Sequence, residues 1–133
     1  MELTQKLKHL EENIAVLHEI KASVTREELK LNKRYEWEVR YGLLESIQIV
    51  IDIACKISSQ YNLGNPKNYR ACIELLRQHD YLSPELAQKV IAMVGMRNLL
   101  VHEYVEIDED RLYGFLNFLD DFVGFAIEIR GKV

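Results

Sequence analysis

Three side chains within one short stretch could act together on a phosphate group. His102 follows Arg97 by five positions, and Tyr104 stands two positions beyond the histidine. Arginine offers a permanent charge and a fork of donors that matches a phosphate. Histidine can exchange a proton near neutral pH. Taken together, the complementary residue types predict a site that binds a phosphate and moves a proton beside it.

Each of these residues also has a structural explanation when taken singly. A histidine near a helix end often interacts with the helix dipole, and an arginine on a helix often forms an ion pair within that helix. A tyrosine beside an apolar segment is often half-buried in the core. The combination of the three is therefore more informative than any one of them.

The arginine stands in an unexpected position. Residues spaced by four, three, four and three positions share one helix face, and here they are Leu86, Val90, Met93, Arg97 and Leu100. A charge thus occupies a place where a bundle helix presents an apolar residue. Because burying an unpaired charge is costly, Arg97 requires a partner, a water-filled cleft or a ligand.

Helix geometry places a condition on this site. Five positions on a regular helix turn through about 500°, so Arg97 and His102 would point roughly 140° apart. They converge only if the helix ends or distorts near Leu100, or if a second subunit brings two such sets together. Gly95 would permit the close backbone approach that such an interface requires.

The elements that must position these residues are helical. A first helix carries a leucine-rich stripe from Leu3 to Leu17, and Thr25 with Glu28 forms a capping box that opens a long second helix ending near Tyr61. A shorter third helix turns Tyr69, Ile73 and Leu76 inward and pairs Arg70 with Glu74. The second helix is apolar almost all round, which is typical of a central or intersubunit helix. Its narrow polar stripe faces either solvent or the far wall of a cleft, and comprises Glu45, Gln48, Asp52 and Lys56.

The fourth helix begins at Ser83-Pro84-Glu85 and carries the motif at its C-terminal end. Asp108 is the predicted N-cap of the last helix. The sequence thus predicts one domain, residues 1–133, folded as an all-α up-and-down bundle of four long helices and one short helix.

Composition limits the classes of function. The chain has 133 residues, 48% of them hydrophobic, and a formal net charge of −4, which argues against a broad basic nucleic-acid surface but not against a small local one. No apolar run is long enough to span a bilayer, and the N-terminus lacks a signal-peptide core, so we expect a cytoplasmic protein without membrane attachment. Cys55 and Cys72 are interpreted as free buried thiols.

The sequence predicts neither a metal site nor a cofactor. None of the four histidines follows a glutamate by three positions, as a carboxylate-bridged di-iron bundle requires. No glycine-rich phosphate loop and no nucleotide-binding fingerprint is present.

Residues 97–104 resemble the R-x4-H-x-Y motif of HepT toxins, which belong to the HEPN superfamily of all-α ribonucleases. The resemblance covers nearly the whole chain, since residues 40–54 are similar to the family's second helix and the acidic segment precedes the last helix as in the family. The fold is therefore expected to be HEPN-like. Gly42 and Cys55 depart from the alanine and histidine that family members often carry, and neither belongs to the motif.

The resemblance implies a metal-independent endoribonuclease that is active as a homodimer, with both motifs in one interfacial cleft. In this interpretation His102 is the general acid or base, Arg97 holds the scissile phosphate, and Asn98 orients His102 or the phosphate. The product is an RNA end with a 2′,3′-cyclic phosphate. The implied partner is an MNT-type nucleotidyltransferase antitoxin that transfers AMP to Tyr104, placing charge and bulk beside His102.

Two other functions remain open, and so does the role of the acidic run. The chain could be a non-catalytic HEPN module that assists a partner nucleotidyltransferase, or a plain interaction bundle, although the latter leaves Arg97 unexplained. The acidic run could dock a basic antitoxin surface or be a solvated loop; it comprises Glu103, Glu106, Asp108, Glu109 and Asp110. The sequence does not identify the RNA substrate, the number of AMP groups or any assembly beyond a dimer.

Overall fold

A computed structural model describes residues 2–102 and 108–133 of the chain. Within these ranges the backbone forms seven α-helices and one 3₁₀ segment, with no strand. The helices are α1 (Glu2–Ser23), α2 (Arg26–Leu31), α3 (Lys33–Gln60), α4 (Tyr69–Gln78), α5 (Pro84–Val101), α6 (Glu109–Gly114) and α7 (Leu119–Arg130), and the 3₁₀ segment is Phe115–Phe118. The all-α bundle predicted from the sequence is confirmed.

The helix α3 is the centre of the bundle. It packs against α1, α4 and α5, while α7 closes the bundle by packing on α1 and α5. Its buried residues lie on several sides, as expected for a helix covered by neighbours on several sides; they include Leu43, Ile47, Val50, Ile53 and Ile57. Of the two interpretations of this helix, central or intersubunit, the central position is therefore confirmed, whereas the predicted start of the helix is wrong.

The sequence predicted one helix from Thr25 to about Tyr61, and the structure divides it at Asn32. The capping box of Thr25 and Glu28 is present and opens the short helix α2. The Asn32 backbone N–H donates to Glu28 O, which ends α2, and its side chain accepts from the Arg34 N–H at 3.0 Å, which starts α3. An asparagine that caps in both directions offers the chain an alternative to a continuous helix.

Two further local predictions are corrected. The last helix begins at Asp108 as predicted, but it is interrupted by the 3₁₀ segment directly after Gly114, a residue that weakens a helix interior. Glu74 pairs with Arg77 at 3.1 Å, and not with Arg70.

Cys55 and Cys72 form a disulfide that joins α3 to α4, so the prediction of free thiols was wrong. Their Cα atoms are 5.0 Å apart, within the range that a disulfide spans. The seventeen positions that separate them in the sequence carried no signal that the turn after α3 brings the two helices together.

The outer helices are fixed by polar contacts as well as by apolar packing. Arg130 on α7 donates from Nε and Nη2 to the two carboxylate oxygens of Glu11 on α1, each at 2.9 Å. Glu45 on α3 accepts from Asn13 on α1 at 2.8 Å and from the Tyr41 hydroxyl at 2.7 Å. None of the helices in the described ranges combines the length and apolar character needed to cross a membrane.

Candidate active site at the end of α5

The helix α5 carries Arg97 and ends before His102. Its N-terminus is fixed because Ser83 caps it and is itself held by Glu128, which accepts from the Ser83 N–H at 2.7 Å. The last helical residue is Val101, and His102 takes an extended conformation with φ −78° and ψ 99°. The helix therefore ends between the arginine and the histidine, which is one of the two conditions that the spacing imposed.

The Arg97 side chain is half-buried and held by neutral groups. Its Nε donates to Gln48 Oε1 at 2.9 Å, and its Nη1 lies 3.4 Å from Asn98 Oδ1. Its guanidinium carbon is 5.3 Å from the centre of the Tyr69 ring. Among the described residues, no carboxylate lies within ion-pair distance of Arg97, so these contacts leave its charge uncompensated.

Gln48 is in turn oriented by a second contact. Its Nε2 donates to Asp52 Oδ1 at 2.9 Å, one helical turn further along α3. Because its amide nitrogen is engaged with a carboxylate, the amide oxygen points at Arg97. The polar stripe of α3 thus does not simply face solvent, since Gln48 contacts α5 and Glu45 contacts α1.

Tyr69 begins α4 and lies beside the motif. The sequence predicted that it turns inward, but 40% of it is exposed, and its ring contacts Arg97 instead of the core. The capping residue Asn68, which accepts from the Ala71 N–H at 2.8 Å, fixes the start of α4 and hence the ring. An arginine over an aromatic face gains a modest electrostatic attraction.

A second arginine reaches the same helix end. Arg40 Nη2 donates to the Leu100 carbonyl at 3.3 Å, so it neutralises part of the negative end of the α5 dipole. Since Arg40 and Gln48 on α3 meet Leu100 and Arg97 on α5 in the reverse order, the two helices run antiparallel here. Among the described residues, two arginines therefore lie at the end of α5, in a chain whose formal net charge is −4.

Tyr104 lies outside the described residues, as do Glu103 and Glu106 of the acidic run. Asp108 caps α6 by accepting from the Asp110 N–H at 2.7 Å. Asp110 forms an ion pair with Lys30 Nζ at 2.9 Å. This contact, together with the one from Arg26, holds the pKa of the Asp110 carboxyl below its ordinary value. These two residues of the acidic run are therefore already used to attach α2 and to begin α6.

Gly95 is exposed on α5, two positions before Arg97. A Cβ atom built at this position would meet no atom of the described chain within 4 Å. Packing within one copy therefore gives no reason for a glycine at this point of the helix.

Sequence reasoning found the helix-end residues but did not identify those that hold Arg97. Gln48 and Asp52 were recognised only as members of a polar stripe, and that stripe on an otherwise apolar helix was the available signal. The periodicity of α4 placed Tyr69 in the core, whereas its ring lies against Arg97. Within residues 2–102 and 108–133, no group of three or more His, Cys, Asp or Glu residues could hold a metal ion.

Comparison with known proteins identifies relatives of the whole bundle. A family model described as "Ribonuclease HepT-like" matches residues 10–129. The chain is 35% identical over 92 residues to the mRNA nuclease HepT of Shewanella oneidensis, spanning 68% of this chain and 69% of that protein. It is 39% identical over 72 residues to the tRNA nuclease HepT of Aphanizomenon flos-aquae, spanning 53% of this chain and about half (48%) of that protein.

A solved structure gives the same relationship at the level of the fold. The tri-AMPylated HEPN toxin of Shewanella oneidensis, in complex with MNT antitoxin, superposes with a TM-score of 0.87 and 26% identity. The match covers 97% of this chain and 96% of that one.

Proposed function

Since this chain belongs to the HepT-like ribonuclease family, we propose that it is an RNA-cleaving toxin whose action is blocked by a nucleotidyltransferase antitoxin of the MNT type. The observation that carries the proposal is the arrangement at the end of α5. Arg97 is held by neutral side chains with its charge uncompensated by the described residues, and His102 stands just past the helix end. Two relatives with nuclease activity in their names support the substrate class, which is RNA.

In the proposed reaction, the ribose 2′-oxygen attacks the adjacent phosphorus and the 5′-oxygen of the next nucleotide leaves. The 2′-hydroxyl loses a proton and the leaving 5′-oxygen gains one; His102 performs one of these two transfers, which is typically worth about 10²–10⁴-fold in rate, and water performs the other. Arg97 holds the phosphate and stabilises the charge that develops on it, which commonly supplies about 3 kcal/mol. Asn98 orients His102 or the phosphate. The product carries a 2′,3′-cyclic phosphate, and no metal ion takes part.

The proposal includes a homodimer in which two copies of this helix end form one cleft. Two copies would place two Arg97 side chains around the RNA, which compensates for the lack of a broad basic surface. The exposed Gly95, for which the chain itself offers no packing reason, supports a close approach of a second copy at α5. A stable monomer in a size measurement by light scattering would contradict this part of the proposal.

The cleavage test uses the purified protein with RNA in the presence of EDTA. We expect cutting that survives chelation and leaves 2′,3′-cyclic phosphate ends, detected by mass spectrometry of the fragments. Arg97→Ala and His102→Ala should each lower the rate at least a hundredfold.

Two control variants match the tested residues in type and setting. His79 ends α4 as His102 ends α5, and Arg77 is a half-buried arginine at the far end of α4. His79→Ala and Arg77→Ala should cut RNA like the parent. If Arg97→Ala and His102→Ala also cut like the parent, the assignment of these residues is wrong; if the parent cuts neither mRNA nor tRNA, the result favours the non-catalytic module that the sequence left open.

We also propose that the antitoxin inactivates this chain by transferring AMP from ATP to Tyr104. The attached phosphate adds negative charge and bulk two positions from His102, where it competes with RNA for Arg97. The AMP groups on the Shewanella oneidensis toxin, which is complexed with an MNT antitoxin, support this mechanism.

The AMPylation test is intact-mass analysis after incubation with ATP and an MNT-type nucleotidyltransferase. We expect an added mass of one or more AMP groups on the parent and on Tyr113→Phe, but not on Tyr104→Phe. Equal addition to Tyr104→Phe would show that another residue is modified.

A further inference from the structure

Gln48 contacts Arg97 through a neutral acceptor, which fixes the direction of the guanidinium without compensating its charge. Its Oε1 accepts from Arg97 Nε at 2.9 Å, on the inner edge of the guanidinium. Of the terminal nitrogens, Nη1 donates to Asn98 Oδ1 at 3.4 Å, a long contact with an exposed side chain. With Nε held by Gln48, the two Nη atoms are the donors left for a phosphate, which can bind both in a bidentate manner once it replaces the long Asn98 contact.

The chemical type of the partner matters as much as its position. A glutamate has the same reach as a glutamine, but it would form an ion pair with Arg97 and reduce the attraction between Arg97 and a phosphate. An amide accepts the hydrogen bond without cancelling the charge. The orientation of the amide is set by Asp52, which accepts from Gln48 Nε2 at 2.9 Å, so the carboxylate bonds Gln48 instead of Arg97.

Burial makes this contact more effective than a surface hydrogen bond. Both Gln48 and Arg97 are half-buried, because α3 and α5 pack directly on each other. The Tyr69 ring lies against the guanidinium at 5.3 Å and restricts it further. Each of these contacts removes conformations of Arg97 in which its terminal nitrogens would not face a substrate.

We propose that Gln48 is a positioning residue for RNA cleavage, which acts through Arg97 by fixing its Nε with a neutral acceptor. The inference rests on the proposed function, because it assumes that Arg97 binds the scissile phosphate. It adds to that function a residue on a different helix, forty-nine positions away in the sequence, that never touches the RNA.

Two substitutions separate direction from charge. Gln48→Ala removes the acceptor and is expected to lower kcat roughly ten- to a hundredfold with little change in KM, since a misdirected guanidinium stabilises the transition state less. Gln48→Glu keeps an acceptor of the same reach but adds a charge, so it is expected to weaken the binding of an RNA with a 2′-deoxy group at the scissile position. It should also reduce the salt dependence of that binding, because one cation is partly neutralised.

A purely structural role predicts a different result. If Gln48 only packs α3 against α5, Gln48→Ala should lower the stability of the bundle and leave kcat as in the parent. The matched control is Gln60→Ala, which removes an exposed glutamine from the end of the same helix and should leave cleavage unchanged. Circular dichroism of every variant checks that the bundle is folded.

A double-mutant cycle tests whether Gln48 acts through Arg97. In an Arg97→Lys background the Nε donor is gone, so Gln48→Ala should cause no further loss. If Gln48→Ala causes the same loss in both backgrounds, or none in the parent, the proposal is overturned.

The contact can also be observed without RNA cleavage, which separates failure of this inference from failure of the proposed function. In a ¹⁵N NMR spectrum of the parent we expect a slowly exchanging Arg97 Nε–H signal, assigned by its loss in Arg97→Lys. The signal should exchange rapidly in Gln48→Ala and remain protected in Gln60→Ala. Equal exchange rates in the parent and in Gln48→Ala would refute the positioning contact, whether or not the protein cuts RNA.

Discussion

Replacing Gly95 with alanine should stabilise an isolated copy and weaken its association with a second copy. Within one copy, alanine is favoured over glycine in a helix interior by about 1 kcal/mol. The structure gives no steric cost to offset this gain, because a Cβ at Gly95 has no neighbour in the described chain within 4 Å. For a domain of this size, such a gain raises Tm by about 3–5 °C.

In the proposed dimer, the methyl group added by Gly95→Ala is unfavourable. If α5 of a second copy approaches Gly95, an added methyl group must displace packed atoms, which typically costs about 1–3 kcal/mol. That cost corresponds to a rise of roughly 5- to 160-fold in the dissociation constant of the dimer. The variant should therefore be more stable than the parent in dilute solution, and this advantage should shrink or reverse at high concentration.

The assay combines thermal unfolding over a wide range of protein concentration with sedimentation velocity to measure dimer dissociation. Gly42→Ala is the control, because a Cβ there would lie 2.9 Å from Leu17 Cδ2 within the same copy. Its effect should be a loss of stability, or little change if Leu17 adjusts, and dimer dissociation should stay as in the parent. A Gly95→Ala variant that gains the same Tm at every concentration and dimerises like the parent would refute a second copy at this site.

Three further predictions concern residues around the site and at the helix contacts. Tyr69→Ala should lower RNA cleavage roughly three- to fivefold by releasing Arg97 from its ring, as expected for a partly exposed cation–π contact, whereas Tyr69→Phe should cut like the parent. Glu45→Gln should be less stable than the parent at neutral pH. The hydrogen bond from the Tyr41 hydroxyl, together with those from α1, lowers the pKa of the Glu45 carboxyl. The stability that this carboxylate contributes is therefore present above its ordinary pKa of 4.5 and is lost as the pH falls through its pKa in the folded state. Asp110→Asn should speed amide hydrogen exchange in α2, because the ion pair from Lys30 is removed.

Each of these three predictions has a contrasting variant. Tyr61→Ala removes a tyrosine of similar exposure away from Arg97 and should leave cleavage unchanged. Glu12→Gln, on the exposed face of α1, should follow the acid unfolding curve of the parent, and a Glu45→Gln curve that stays separate from the parent at the lowest pH would contradict the assigned cause. Equal exchange in α2 for Asp110→Asn and the parent would show that the Asp110 carboxylate does not hold α2.

Predictions that depended on local rules were mostly correct. Apolar periodicity located the helices, and the caps at Thr25, Ser83 and Asp108 were found because each places an oxygen over free N–H groups of the following turn. The exception is Asn32, whose double capping role divides a segment that carries a continuous helical pattern.

Predictions that depended on contacts between distant residues could not be made from periodicity. The partner of Arg97 lies forty-nine positions away, and the Cys55–Cys72 pair joins two helices whose relative register is set by the turn between them. Tyr69 was misplaced for a related reason. A helical period gives the direction of a side chain but not whether the facing neighbour is a core residue or an arginine.

Under the proposed function, an acidic chain with two arginines at the end of α5 must bind RNA through few contacts. A protein that bound RNA along a broad basic surface would tolerate the loss of one arginine, because many phosphate contacts share the affinity. With a formal net charge of −4, the chain would attract RNA where its cations are concentrated, and among the described residues Arg97 and Arg40 meet at the end of α5. RNA binding then requires that the partners of Arg97 be neutral, since one carboxylate in place of Gln48 would offset a large share of the local positive charge. In the proposed inactivation, one phosphate-bearing group attached to Tyr104 would offset the same small local positive charge. This would explain in electrostatic terms how one modification inactivates the protein.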